Sequence, residues 1–166
     1  ARTDKAASRL SEQIRLGKTS KRYRAVVSGH FAEKEGRLED IIRKVKTDQG
    51  FRAVIKNGIS CNADKKAILD YRVTAEGTYK GKDVSLVDIR LETGRFHQIR
   101  CQMSNAGHTL LGDRKYGDRL FRDGHNICLQ SYMLGFEHPV THERLRFEIP
   151  VKDDSPWDLF KEEKNG

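Results

Sequence analysis

Two stretches of alternating polarity, at residues 67–76 and 84–91, constrain the fold of this chain most strongly. In AILDYRVTAE and in VSLVDIRL, apolar side chains alternate with polar or charged ones. A period of two is typical of a β-strand with one buried and one solvated face. Because the stretches are separated by GTYKGKD, which is rich in turn residues, we predict an antiparallel hairpin.

Other elements precede this hairpin. The segment TDKAASRLSEQIRLG has apolar residues at helical spacing, a cap at Thr3 or Asp4, and Gly17 at its end, so it predicts a helix. The segment KRYRAVVSG predicts a strand. Between Phe31 and Ser60 the apolar runs are short and broken by charges and glycines, and we expect short strands and loops there.

After the hairpin comes ETGRFHQIRCQMSNAG, which predicts a helix capped by Thr93, with Ile99 and Met103 pointing inward. NICLQSYMLGFEHP and ERLRFEIP predict two more strands, and a short helix is expected near Pro156. Since helices and strands do not alternate in a β-α-β rhythm, we predict an α+β fold with mixed, mainly antiparallel sheets and flanking helices. The chain, residues 1–166, is expected to be a single domain.

The charge of the chain is unevenly distributed. The net charge is +8, and residues 1–60 hold 15 Lys or Arg against 7 Asp or Glu, so this first part carries the whole surplus. Such asymmetry predicts a positive surface for a polyanion such as nucleic acid. A solvated basic surface without a partner is the alternative that charge alone leaves open.

Several function classes are not supported by the sequence. The mean hydropathy is −0.74, and we expect neither a membrane span nor a signal peptide. No GxGxxG or GxxxxGKS motif suggests a nucleotide cofactor, and no cysteine or histidine spacing suggests a metal. We therefore expect no cofactor and no metal. Three widely separated cysteines favour a reducing, cytoplasmic setting.

The segment TGRFHQIR places two permanent cations, Arg95 and Arg100, at a junction between a strand and a helix. Each needs an anion, and a phosphate, a carboxylate of this chain or plain water are the alternatives. Five helical positions separate the two side chains by about 140°, so one can face outward and the other into the fold. By itself, His97 is interpreted as a hydrogen-bonded structural residue rather than as an acid or base.

Together, the ordered motifs KRYRA, TGRFHQIR, GHTLLGDRKYG and CLQSYMLGFEHP resemble those of RNA pseudouridine synthases of the RluA type. The similarity runs from Thr3 to about Pro150. It implies a pseudouridine synthase-like catalytic domain that lacks its N-terminal strands, with residues 1–166 as its C-terminal portion. It also implies isomerisation of a specific uridine to pseudouridine in structured RNA, either rRNA or tRNA.

In this family the catalytic aspartate lies in an HRLDRxTSG-type segment just upstream of the first helix, and the 166 residues contain no such segment. We therefore expect that the nucleophile is missing and that the chain alone is inactive. The alternative is an RNA-binding module or fragment without catalytic activity; the ordered motifs argue against an unrelated basic protein of the ribosomal kind. We also expect an exposed sheet edge that allows self-association.

The resemblance assigns roles to individual residues. It makes Arg100 the cation that pairs with the missing aspartate, Tyr23 the aromatic residue that packs on the target base and helps to remove a proton from it, and Leu129 part of the active-site wall. Phe96 departs from the family, which usually has a small hydroxyl residue there. Contacts with RNA are expected from Lys21, Arg22, Arg24, Arg95, His97 and Gln98.

Overall fold

The computed structural model describes residues 3–117 and 126–160. The described residues include two α-helices, seven β-strands and a 3₁₀ helix. In chain order they are α1 (Asp4–Arg15), β1 (Ser20–Ser28), β2 (Glu35–Thr47), β3 (Gly50–Lys56), β4 (Asp64–Tyr79), β5 (Lys82–Leu91), α2 (Gln98–Asn105), β6 (Leu129–Glu137), β7 (Arg144–Glu148) and the 3₁₀ helix (Trp157–Phe160).

The strands form one sheet in the order β3-β2-β4-β5-β1-β6-β7. Every pairing among the described strands is antiparallel. The predicted hairpin is confirmed as β4 and β5. Its turn consists of Lys80 and Gly81, both with positive φ (50° and 75°), the backbone that a two-residue turn needs to match the twist of its strands. The α+β class is confirmed, with one antiparallel sheet in place of mixed sheets.

The prediction of short strands and loops between Phe31 and Ser60 is wrong, because β2 and β3 form a long hairpin there. β2 alone has 13 residues. One face of β2 carries charged side chains that pair with neighbours, as Arg43 does with Asp64 at 2.7 Å. Because such ion pairs with other strands stabilise the charged side chains, β2 needs no regular alternation of apolar residues. Its sequence therefore did not show the period of two that predicts a strand.

Both faces of the sheet bury apolar side chains. On one face, α2 contributes Ile99 and Met103 to a core built on Ala25, Leu69 and Ile89. On the other face, Trp157 of the 3₁₀ helix packs against a second core that includes Val26, Val84 and Leu86. Successive residues of β1 thus point into different cores, as the period of a strand requires. We call the first side the α2 face of the sheet.

The two helices are held differently. Helix α1 starts as predicted, with the Thr3 hydroxyl accepting a hydrogen bond from the Ala6 N–H at 3.2 Å, but none of its residues is buried. It is tied to the turn after β6 by Arg9, which donates to the Pro139 carbonyl, and by Gln13, whose amide bonds the backbone of 137. By contrast, five of the eight residues of α2 are buried.

The predicted cap of α2 is wrong. The helix begins at Gln98, and its N-cap is His97 in the left-handed conformation, without a side-chain cap. Thr93 lies in the turn before it and bonds other partners, described below. A residue five positions upstream of the first helical residue cannot cap it, because a capping side chain bonds only the N–H of the second or third helical residue after its own position.

The outer strands of the sheet are β3 and β7. On β7 and just after it, Phe147 and Ile149 are exposed. An exposed edge where N-terminal strands would lie, and self-association through it, stay predictions. In the part of the chain that the structure describes, no helix is both long and apolar enough to span a membrane.

Candidate active site

The turn between β5 and α2 is built around a buried amide. The side-chain oxygen of Gln98 accepts hydrogen bonds from the Thr93 hydroxyl and the Arg95 N–H, both at 2.9 Å, and its NH₂ group donates to the Ile68 carbonyl at 3.0 Å. Gln98 is 2% exposed. The prediction that it contacts RNA is therefore wrong, since its amide is spent inside the protein on shaping this turn.

Arg95 is exposed, and its Nε donates to the carbonyl of Lys66 on β4 at 3.0 Å. This bond pins the turn to the sheet and uses one of the five N–H groups of the guanidinium. The structural contact of Arg95 is thus with the backbone of β4. An RNA contact by Arg95 stays a prediction.

Arg100, on α2, has its carboxylate partner within this chain. Its Nε and one terminal nitrogen donate to the two oxygens of Asp113 at 2.8 and 2.7 Å, a bidentate pair. The sequence analysis did not anticipate this pair, and a further pairing of Arg100 with a catalytic aspartate stays a prediction. The Asp113 side chain is 0% exposed, and its Oδ1 also accepts the N–H groups of Lys115 and Tyr116.

The electrostatics of this pair favour its charged form. The hydrogen bonds that Arg100 donates to Asp113 raise the pKa of Arg100 against the opposing effect of burial. Burial raises the pKa of Asp113, but the hydrogen bonds from Arg100 and from the backbone N–H groups of Tyr116 and Lys115 outweigh it, so the net pKa lies below the ordinary value. The guanidinium is therefore held in one orientation by a fixed anion.

A second set of bonds links Arg100 to the loop after α2 through His97. The third nitrogen of Arg100 lies 3.2 Å from His97 Nε2, and His97 Nδ1 lies 3.1 Å from the Tyr116 hydroxyl oxygen. Because an arginine can only donate, Nε2 must accept, and the neutral ring then carries its proton on Nδ1. The Tyr116 oxygen also accepts the N–H of Ala53 on β3.

Burial lowers the pKa of His97, and the neighbouring charge of Arg100 lowers it further. Both effects favour the neutral imidazole that the hydrogen bonds require. His97 thus serves as a positioning group for Arg100, in line with its interpretation as a hydrogen-bonded structural residue. Its proposed contact with RNA is not tested by this geometry.

Tyr23 and Leu129 lie on the α2 face of the sheet. Both are partly buried, and both pack against the core to which α2 contributes Ile99. Tyr23 on β1 is paired with Ile89, and Leu129 on β6 is paired with Ala25. The fold therefore brings the predicted aromatic residue, the predicted wall residue and the helix that carries Arg100 to one side of the sheet.

Two of the three cations on β1 that were predicted to bind phosphate lie on the face of the sheet opposite Tyr23. Arg22 approaches Asp88 at 3.7 Å, and the guanidinium of Arg24 lies 3.8 Å from the ring centroid of Tyr132. Both point away from the α2 face, because side chains alternate along the strand around Tyr23. Arg22 and Arg24 therefore lie on the other side of the sheet from Tyr23, and their contacts with phosphates of the RNA stay a prediction. An RNA contact by Lys21 stays a prediction.

A depression on that opposite face is lined by charged side chains. Asp70 lies 3.1 Å from Arg37 and 3.3 Å from Arg90, and Arg72 pairs with Glu35 at 3.3 Å. These charges already compensate one another, and Tyr23 and Arg100 lie on the other side of the sheet, so it is not the candidate site. Within the described ranges, no cluster of His, Cys, Asp and Glu is arranged to hold a metal.

Sequence reasoning missed the roles of Asp113 and Tyr116, although both belong to the quoted motif GDRKYG. Their signal was available in that motif: an aspartate and a tyrosine three residues apart, following an arginine that needs an anion. Their partners were not visible, because Asp113 meets Arg100 only when the loop after α2 folds back against the helix.

The comparisons with known proteins bear on this arrangement. Residues 1–105 match the family model described as RNA pseudouridylate synthase. This chain belongs to that family. Its relatives place it among the RluA-type synthases: it is 34% identical over its whole length to an uncharacterized RNA pseudouridine synthase, YlyB, of Bacillus subtilis. It is 33% identical over 97% of its length to the ribosomal large subunit pseudouridine synthase D of Zymomonas mobilis.

Among solved structures, human RNA pseudouridylate synthase domain containing 1 matches with a TM-score of 0.78 and 26% identity, over 92% of this chain and 64% of that one. The fold of the sheet and its helices is therefore that of this synthase family. The chain spans about half the length of the curated relatives that it matches, 52% of the B. subtilis protein and 50% of the Z. mobilis protein.

Proposed function

We propose that this protein isomerises a uridine of RNA to pseudouridine, and that Tyr23, Leu129 and Arg100 line the pocket for that uridine. The observation that carries the proposal is the anchored guanidinium of Arg100, on a helix that packs on the same face of the sheet as the other two residues. Three positions that lie far apart in the sequence belong to one side of the fold, as a common pocket requires.

Arg100 has the bonding capacity that this role demands. Among the described residues, its hydrogen bonds to Asp113 and His97 use three of the five N–H groups of a guanidinium. One N–H on each terminal nitrogen remains available for a second carboxylate. An arginine next to an aspartate lowers the pKa of that aspartate by roughly one to three units. Such a shift keeps a nucleophilic carboxylate ionised in a dry pocket.

Asp113 is not suited to be that nucleophile. Its side chain is 0% exposed, and its oxygens accept bonds from Arg100 and from the backbone of Lys115 and Tyr116. We therefore propose that the nucleophile is an aspartate from outside these 166 residues, which form the C-terminal portion of the catalytic domain. The reaction breaks the N1–C1′ bond of uridine, turns the base and rejoins it through C5, with no change of redox state.

Tyr23 would hold the extracted base. Removing a base from its stack costs a few kcal/mol, and stacking on an aromatic ring returns roughly 1–3 kcal/mol. Leu129 would exclude water from the same pocket. The proposed substrate is rRNA of the large ribosomal subunit, with tRNA as the alternative, because several relatives are named ribosomal large subunit pseudouridine synthase D. Such a substrate favours a cytoplasmic location.

The test is release of tritium from RNA that carries C5-labelled uridine. We expect release by the full-length protein and none by the 166-residue chain alone. Substantial release by the 166-residue chain would contradict the proposal that the nucleophile lies outside it. In the full-length protein, Tyr23→Ala should reduce turnover far more than it weakens RNA binding.

For Arg100→Met in the full-length protein we expect a loss of turnover on the order of 10²–10³-fold, as for removal of a preorganised electrostatic group. Arg90→Met, on the other face of the sheet, is the matched control and should leave turnover unchanged. Near-normal turnover of the Arg100 variant would exclude its role. RNA binding without any release by the full-length protein would favour the second candidate, a binding module, for which the basic surface described next is the supporting observation.

A further inference from the structure

Beside the N-terminus of α2, one lysine lies between two exposed phenylalanine rings. The Nζ of Lys44 is 4.0 Å from the ring centroid of Phe51 and 4.7 Å from that of Phe96. The two phenylalanines are 47% and 38% exposed. We call these three residues the phenylalanine surface.

The β2–β3 hairpin builds this surface. On β2, Ile42 is buried against α2, and Lys44 follows it on the same face because side chains alternate. Phe51 lies on β3, directly after the hairpin turn. The third member, Phe96, belongs to the turn before α2 and stacks on His97 with 3.8 Å between the ring centroids. Since His97 bonds Arg100, the surface is connected to the candidate active site by one residue.

The cations around this surface have no carboxylate partner among the described residues, although Lys115 donates to the Phe51 carbonyl at 2.8 Å and Arg52 lies 4.8 Å from the ring centroid of Tyr116. Within the described residues, none of Lys44, Arg52, Arg114 and Lys115 has a carboxylate oxygen within 4.0 Å. Three of them also line a depression next to the hairpin turn, in which Asp48 is the acidic residue. The arginines of the opposite face differ, since Arg37, Arg72 and Arg90 all pair with carboxylates. Uncompensated cations beside exposed rings are the chemistry that binds single-stranded nucleic acid.

We propose that the phenylalanine surface binds an unpaired nucleotide of the RNA substrate, close to the target uridine. A base would stack on Phe96 or Phe51, and phosphates would form ion pairs with Lys44 and its basic neighbours. This proposal rests on the proposed function, which supplies the RNA. It assigns Phe96 a specificity-determining role: the surface selects RNA in which a base next to the target is free to stack, so a fully paired duplex binds less well.

The test compares a single-stranded, uridine-containing RNA oligonucleotide with the same oligonucleotide in a duplex, by fluorescence anisotropy on the full-length protein. Phe96→Ala and Phe51→Ala should each weaken binding of the single strand by about tenfold, in the range of lost base stacking. Binding of the duplex should change little. The salt dependence of affinity should stay the same, because a phenyl ring releases no counterions.

Two further variants separate stacking from folding. Phe96→Tyr keeps the ring and should restore affinity. Phe96→Trp should show indole fluorescence that is quenched by the single strand, measured as the difference from the unsubstituted protein, whose Trp157 is buried. The matched control is Phe147→Ala, since Phe147 is 56% exposed but lies on the edge strand β7. It should leave RNA affinity unchanged.

The outcomes distinguish the two proposals. Suppose that the protein binds RNA and forms pseudouridine, but both alanine variants bind the single strand as tightly as the unsubstituted protein. The proposal for the phenylalanine surface is then refuted, and the proposed function stands. Equal losses for the single strand and the duplex would also refute stacking. If the unsubstituted protein neither binds RNA nor releases tritium, the proposed function fails, and this proposal fails with it.

Discussion

Basic side chains occupy both faces of the central sheet, but their surroundings differ from one face to the other. On the face away from α2, Arg37 bonds Glu39, Asp70 and Glu92, and Arg90 pairs with Asp70. On the α2 face, Arg100 is held by the buried Asp113, and the cations around the phenylalanine surface have no carboxylate within 4.0 Å in the described part of the chain. This contrast shows that net charge alone does not identify a binding surface. What matters is which charges the fold leaves uncompensated.

The largest stability difference between the faces is expected at their aspartates. Asp113→Ala leaves the partly buried Arg100 without its anion, and loss of one partner of a buried pair costs about 3 kcal/mol of unfolding free energy or more. Asp70→Ala removes a partner of more exposed arginines and should cost less than about 1 kcal/mol. Urea unfolding of the two variants measures both values.

Asp113→Asn controls for the size of the side chain, because it keeps an acceptor for the backbone N–H groups of Lys115 and Tyr116. It should fall between the alanine variant and the unsubstituted protein. Equal losses for Asp113→Ala and Asp70→Ala would remove the proposed distinction between an anchored and a solvent-exposed arginine.

A smaller difference is expected in the salt dependence of RNA binding. Each cation that contacts a phosphate of a single strand contributes about 0.7 to the slope of log affinity against log salt. The double substitution of Arg52 and Arg114 by Ala should therefore flatten the slope by about 1.4. The double substitution of Arg72 and Arg90 by Ala, on the other face, should leave it unchanged. Anisotropy titrations over a range of salt concentrations measure both slopes, and equal flattening would mean that RNA touches both faces.

The smallest effect concerns pH. The pKa of His97 is lower in the folded protein than its ordinary value, so between these two values the unfolded chain binds more protons. The unfolding free energy should therefore decrease as the pH falls below about 6.5, the ordinary value for histidine. His97→Gln should remove this contribution, whereas Arg90→Met should retain it. Urea unfolding between about pH 5 and pH 7 measures the slope, and an unchanged slope in His97→Gln would contradict the neutral, hydrogen-bonded imidazole.

Much of the fold followed from local patterns. The β4–β5 hairpin was predicted because its alternation is regular and its turn contains Gly81. Helix α1 was predicted from its cap and its spacing. The β2–β3 hairpin was missed because its charges are satisfied by side chains from other strands, as Arg43 is by Asp64, and such pairs leave no local signal. Gln98 was misassigned because a motif position does not reveal whether its side chain faces solvent or the turn.

From the sequence alone, the order of the motifs around Tyr23, Arg100 and Leu129 predicted the family to which the chain belongs, and the roles of these three residues stay proposals. The contacts of each of these groups became visible in the folded protein. It supplied Asp113 as the anion of Arg100, separated Arg22 and Arg24 from Tyr23, and brought Lys44 between Phe51 and Phe96. The physical reason is that electrostatic and stacking contacts depend on distances of a few ångströms between residues that are far apart along the chain. Local residue patterns encode strands and helices but not those distances.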